Sequence, residues 1–339
     1  MQFNIQDILK YRSALMGIAM LLVVWHHLPM GVPSIIVNTL KGHAGWGVDI
    51  FLFLSGIGLY YSAHKEFTLK SYYIKRFIRI FPIYAFIILC TDLITGSLDV
   101  NAFFYKVTTI GFWIGKDSFE WFIPTIVGLY LIFPIYYYII KYNKGILLAT
   151  ILTIMIYTYI SLLPEHSNFQ LYFRIPVFFC GVIWGYLLTL NLSNKQNLEI
   201  KIIFAILLLI GFIMCGYSLH KYYNPSLPIT DFRYNDMKVN GWLFRPYFFI
   251  TPGACLFIAS IIKYMHKTII ELLSLIGKMS MEVYLIHLLF ISLARYLTDT
   301  YNLSKPIFGG ILIIFSFVLS YYVHKGNTIV MNTLKKKLL

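Results

Sequence analysis

What most constrains this chain is a succession of apolar stretches, each close to the ~20 residues that a helix needs to cross a bilayer. They fall at roughly 12–30, 47–63, 79–98, 120–140, 146–163, 173–190, 202–219, 245–262, 273–295 and 306–323. A water-soluble globule is excluded, because 59% of the 339 residues are hydrophobic and only 12% are charged, about half the charged share of a soluble domain. Backbone groups in lipid must be paired within the segment that carries them, so stretches of this length are expected to be helices. The sequence therefore predicts an all-α, polytopic transmembrane helical bundle of about ten spans, organised as one integral-membrane domain over 1–339. At about 30 residues per span and loop, no room remains for a separate soluble domain. The first stretch follows Lys10 and Arg12 as a signal peptide would, yet it lacks a small-residue cleavage site and is expected to stay in the mature chain.

A formal charge of +14 raises the question of nucleic acid. The Lys and Arg are dispersed through short loops and form no basic domain with base-stacking aromatics, so no nucleic-acid partner is expected. Topology explains the charge better. With the N-terminus in the cytoplasm, seventeen of the 28 basic residues fall inside, ten outside and Lys278 within a span, which by the positive-inside rule puts both termini of a multi-pass cell-membrane protein in the cytoplasm. The longest loop, about 219–244 with Asp231, Arg233 and Asp236, then faces outward, as do 30–46 and 99–119. Cys90, Cys180, Cys215 and Cys255 sit singly in apolar stretches, so neither disulfides nor a metal site are expected. There is no internal repeat and no Walker-type loop, which argues against an ATP-driven pump.

An unpaired charge inside a span costs at least ~2.5–3.5 kcal/mol, so the ionisable residues there carry the information. They are His26 and His27 in the first span, Asp49 at the start of the second, and Lys278, Glu282 and His287 in the ninth. Adjacent helical side chains diverge by ~100°, so only one of the two histidines can face the bundle interior. A histidine there suits a general base, and a carboxylate such as Asp49 would fix its tautomer; the plain alternative is a structural hydrogen-bond donor. Arg76 and Arg79, three apart where the third span begins, could hold phosphates or anchor lipid headgroups, and Pro82 follows one turn later. Lys278 and Glu282, four apart, read either as an intrahelical ion pair or as the relay of a transporter.

Taken in order, these segments resemble the acyltransferase-3 family of integral-membrane O-acyltransferases. The resemblance is carried by Arg12 to His27 (RSALMGIAMLLVVWHH), Gly47 to Gly56 (GVDIFLFLSG), the basic entry Lys75 to Pro82, Trp121 to Thr125 (WFIPT), and Ile276 to His287 (IGKMSMEVYLIH). It implies transfer of an acyl group, usually acetyl from cytoplasmic acetyl-CoA as co-substrate, to a hydroxyl of a cell-surface or lipid-linked glycan, with no metal. It further implies His27 and Asp49 as the catalytic pair, Arg76 and Arg79 at the CoA phosphates, and acceptor contacts at Ser55, Glu120, Trp121 and His287. One position departs from the family, which often has a basic residue where this chain has Met16; Arg12, one turn earlier, is the candidate substitute. Fifteen residues of helix, about 22 Å, separate Arg12 from His27, so a pantetheine arm could bridge from inner-edge arginines to an outer histidine. The alternative classes are a secondary transporter of an envelope precursor or small solute and a non-catalytic scaffold. Against the first stands the lack of two-half repetition; the second leaves His27, Asp49, Arg76 and Arg79 without a purpose.

Overall fold

The structure is a computed structural model that describes residues 4–28, 35–116, 118, 120–142, 144–165, 168–190, 192–222, 240–301 and 305–338. Asp231, Arg233 and Asp236 lie outside the described residues. Sixteen α-helices follow in order: α1 Asp7–Lys10, α2 Arg12–His27, α3 Ile35–His43, α4 Gly47–Lys65, α5 Leu69–Thr95, α6 Val100–Val107, α7 Ile110–Trp113, α8 Phe122–Lys141, α9 Gly145–Leu162, α10 Phe169–Tyr172, α11 Arg174–Leu187, α12 Asn194–Tyr222, α13 Tyr247–Ile262, α14 Lys267–Lys278, α15 Ser280–Tyr301 and α16 Lys305–Leu338. No strand occurs among the described residues. Each of the ten apolar stretches falls on helix, the ninth on two. Among the described residues seven helical segments are long and apolar enough to cross a membrane, and Tyr247–Ile262 and Ser280–Ile291 form shorter apolar helical segments. The outer faces are themselves apolar: Ile206, Leu209, Phe212 and Ile213 of α12 are all exposed, the arrangement of helices solvated by lipid and not by water.

Two compact units make up the chain. The first holds Met1–His26, Gly31–Lys65 and Ile135–Lys278. Its centre is the crossing of α4 and α11, where a Cβ added at Gly56 would stand 2.4 Å from the carbonyl oxygen of Phe178 and one at Gly181 would stand 2.1 Å from that of Phe53. Only glycine lets two backbones approach so closely, and Gly181 and Gly185 carry the small-xxx-small spacing that membrane helices use for it. Ile50, Phe53, Leu54, Ile57, Val177 and Trp184 pack around this crossing.

The second unit holds His27–Met30, Glu66–Pro134 and Met279–Leu339. Helix α5 starts ten residues ahead of the apolar stretch that announces it, because Thr68 accepts the amide proton of Ser71 as an N-cap. The hydroxyls of Tyr72 and Tyr73 then donate to the carbonyls of Tyr130 and Leu131 on α8. Arg76 and Arg79 thus lie two to three turns inside a helix instead of at its entry. A second correction concerns the ninth stretch. It is two helices, broken at Met279, so Lys278 and Glu282 share no helix face. Glu282 instead accepts from His324 Nδ1 (3.1 Å) and Asn327 Nδ2 (2.7 Å), clamping α15 to α16. The intrahelical pair and the relay reading built on it both fall.

Candidate active site

The second unit brings two of the predicted residues into contact. His287 lies one full turn beyond Val283 on α15, completely buried, with Nδ1 2.9 Å from the Val283 carbonyl oxygen. A carbonyl oxygen can only accept, so Nδ1 of His287 carries a proton, and in the neutral ring Nε2 holds the lone pair. That lone pair faces Nδ1 of His27, the last residue of α2, across a long contact of 3.4 Å, with ring centroids 5.3 Å apart and the planes tilted by 55°. For the contact to be a hydrogen bond His27 must donate, which puts its own lone pair on Nε2, the form a general base requires.

One turn before His287, Tyr284 faces the same way, its ring 5.6 Å from that of His287. Its hydroxyl donates to Glu120 Oε2 at 2.8 Å. Glu120 also accepts the backbone amide protons of Phe122 and Ile123, so it closes the N-terminus of α8. Burial pushes its carboxyl from an ordinary 4.5 up to about 7, against the pull of those three donors toward the anion. Desolvation of the partly buried carboxylate outweighs that pull. Trp121 sits half-buried beside it, its ring edge-on to Phe122. His27, Glu120, Trp121 and His287 thus belong to one unit, and Tyr284, to which sequence reasoning assigns no role, links two of the elements that carry them.

Asp49 has a different partner from the one its sequence position suggests. In the first unit its carboxylate pairs with Arg174 Nε at 3.3 Å, both side chains almost wholly buried. Arg174 also donates to the carbonyls of Gly45 (3.1 Å) and Gln170 and lies over the Phe244 ring. Breaking a buried pair by removing one member costs ~3–5 kcal/mol, because the other is left uncompensated. His287 contacts His27 within the second unit, and Asp49 in the first unit pairs with a cation to which sequence reasoning assigns no role. Its signal was available: Arg174 heads an apolar stretch directly before Ile175 and Pro176, and a charge at that position requires a partner. Ser55 is half-buried on α4.

The three arginines separate by environment. The guanidinium of Arg76 lies 5.9 Å from the Tyr72 ring and 5.7 Å from the Tyr130 ring, and its Nε is buried with no hydrogen-bond partner among the described residues. Arg79 is exposed. Arg12 Nε donates to the Leu54 carbonyl at 2.9 Å, and its guanidinium packs where a side chain at Gly58 would stand, so it joins α2 to α4. Met16 is buried.

His27 against the buried His287, and in the same unit Arg76 beside two tyrosine rings, are groups of the kind that a group transfer uses. No curated protein and no solved structure matches the chain. A family model described as an acyltransferase domain matches residues 13–325, nearly the whole chain. On that match the chain belongs to the acyltransferase-3 family, and it is a membrane acyltransferase.

Proposed function

We propose that the chain moves an acetyl group from cytoplasmic acetyl-CoA to a hydroxyl of a cell-surface or lipid-linked glycan. The observation that carries this reading is the His27–His287 contact, which leaves His27 with a lone pair on Nε2 at the end of α2 opposite Arg12, about 22 Å away along an unbroken helix. In this reaction His27 Nε2 takes the proton of the acceptor hydroxyl as its oxygen attacks the thioester carbonyl. The C–S bond of the tetrahedral intermediate then breaks, and the departing thiolate recovers that proton from His27. An ester and free CoA result, and His27 returns to its starting state. Arg76, beside the rings of Tyr72 and Tyr130 and with Nε unsatisfied among the described residues, and Arg79 one turn further on take the CoA phosphates. Glu120 and Trp121 at the start of α8 contact the acceptor sugar. Ser55 lies in the motif beside Asp49, whose part is to hold Arg174.

Purified membranes supplied with isotope-labelled acetyl-CoA test the reading, together with mass spectrometry of surface glycans from cells with and without the protein. The wild type should transfer label and add an acetyl mass increment to a glycan. His27→Ala should lose ~10²–10⁴-fold in transfer with its fold intact. His26 engages the Lys41 carbonyl at 2.9 Å, so His26→Ala should retain much of the activity. Full activity in His27→Ala would refute the mechanism. The transporter alternative has lost its strongest support with the break at Met279.

A further inference from the structure

We propose that His287 is the positioning residue for His27: a neutral imidazole locked by the Val283 carbonyl, whose Nε2 accepts the His27 Nδ1 proton and so fixes His27 in the one tautomer that is a base at Nε2. The proposal rests on reading His27 as the general base. A neutral imidazole carries its proton on either nitrogen, and an unrestrained His27 would divide itself between a form with its lone pair at Nε2 and one without. In water-exposed sites a carboxylate commonly makes this selection. Within a lipid-embedded bundle an anion is costly unless paired, and the one buried carboxylate that motif position recommends, Asp49, is held by Arg174. His287 makes the selection without charge. Its Nδ1 proton goes to the i−4 carbonyl at 2.9 Å, its ring is completely buried, and the geometry leaves Nε2 only the role of acceptor toward His27.

The proton inventory closes. When His27 Nε2 takes the acceptor's proton, the imidazolium keeps its Nδ1 proton directed at His287 Nε2, and His287 neither gains nor loses one. When the thiolate leaves with the proton from Nε2, the starting tautomer is restored. His287 therefore acts through His27 and touches no reacting atom.

The test compares His287→Gln, which keeps an acceptor oxygen near the position of Nε2, with His287→Phe, which keeps the ring shape and removes the acceptor. Both are assayed for acetyl transfer in purified membranes with thermal stability measured alongside. His287→Phe should lower kcat by about 100-fold with the KM for acetyl-CoA unchanged, and His287→Gln should restore most of it. Nitrogen-15 NMR of labelled protein supplies a readout that needs no turnover: His27 should be protonated at Nδ1 in the wild type and should shift toward Nε2 in His287→Phe. In a His27→Ala background, where the base is gone, His287→Phe should cost nothing further. Wild-type kcat in a folded His287→Phe, Gln no better than Phe, or His27 protonated at Nε2 in the wild type would overturn the proposal. An inactive His27→Ala beside an active His287→Phe would sink the positioning role alone, whereas an active His27→Ala would sink the general base itself.

Discussion

Arg76 and Arg79 look equivalent as letters and differ as residues. The first is half-buried beside two tyrosine rings with an Nε unsatisfied among the described residues, while the second is exposed on the same helix. Arg76→Ala should raise the KM for acetyl-CoA by about 10-fold or more, and Arg76→Lys should rescue little, since an ammonium neither stacks nor offers a planar edge; Arg79→Ala should do less. Unchanged KM in the double variant would return both to lipid anchoring. Glu120 supplies a pH-dependent prediction. Its carboxyl titrates near 7 when folded, above the ordinary 4.5, so between those values the folded protein holds a proton that the unfolded chain has released. Stability from this group is therefore full at low pH and lost as pH rises through about 7. Thermal melts from roughly pH 5 to 8 should show Glu120→Gln gaining on the wild type as pH rises; the opposite trend would mean that the cap and Tyr284 stabilise the anion. At this scale His27 and His287 stand out in the sequence, because each is an ionisable group within an apolar stretch. The Asp49–Arg174 pair and the Tyr284–Glu120 bond do not. Each joins residues more than 100 positions apart, and no local periodicity encodes which distant partner a buried charge will meet.

Element boundaries are set by caps and close approaches more than by hydropathy. The sequence places helix at each of its ten stretches but starts α5 ten residues late, since the basic stretch before Arg79 looks like loop until Thr68 is recognised as an N-cap. It fuses α14 with α15 because Gly277, Lys278 and Met279 interrupt an otherwise apolar run too briefly to lower its average. The glycines of the α4–α11 crossing give the prediction that belongs here. At Gly181 the neighbour of an added Cβ is backbone, the Phe53 carbonyl at 2.1 Å, whereas at Gly58 it is the far end of the Arg12 side chain at 2.5 Å. Backbone cannot yield without separating the helices; a guanidinium can swing. Gly181→Ala should therefore destabilise the protein by about 1–3 kcal/mol, and Gly58→Ala distinctly less, as read by thermal unfolding in detergent. Equal losses would show that the crossing tolerates a wider spacing.

At the scale of the whole molecule, the helices supply a path across a bilayer and the charges choose its direction. If acetyl-CoA is drawn from the cytoplasm, the arginines of α5 must face that side, and the acceptor must meet His27 from the other. The arrangement is consistent with the basic residues: Lys65, Lys70 and Lys75 cluster near the α4–α5 connection, and Lys335, Lys336 and Lys337 close the last turn of α16, where they also favour the negative end of the helix dipole. Helix α16 is 34 residues long, about 51 Å, so it outreaches a ~30 Å hydrocarbon core and carries those lysines well beyond it. Both termini and the α4–α5 connection should accordingly be cytoplasmic, with 219–244 outside. The check is labelling of single cysteines in a variant lacking Cys90, Cys180, Cys215 and Cys255. Glu66→Cys, at an exposed position between α4 and α5, should react with an impermeant maleimide only in inverted vesicles, and Asp231→Cys only in right-side-out ones. The reverse pattern would place Arg76 and Arg79 on the side away from cytoplasmic acetyl-CoA, and the proposed direction of acyl transfer would fail with it.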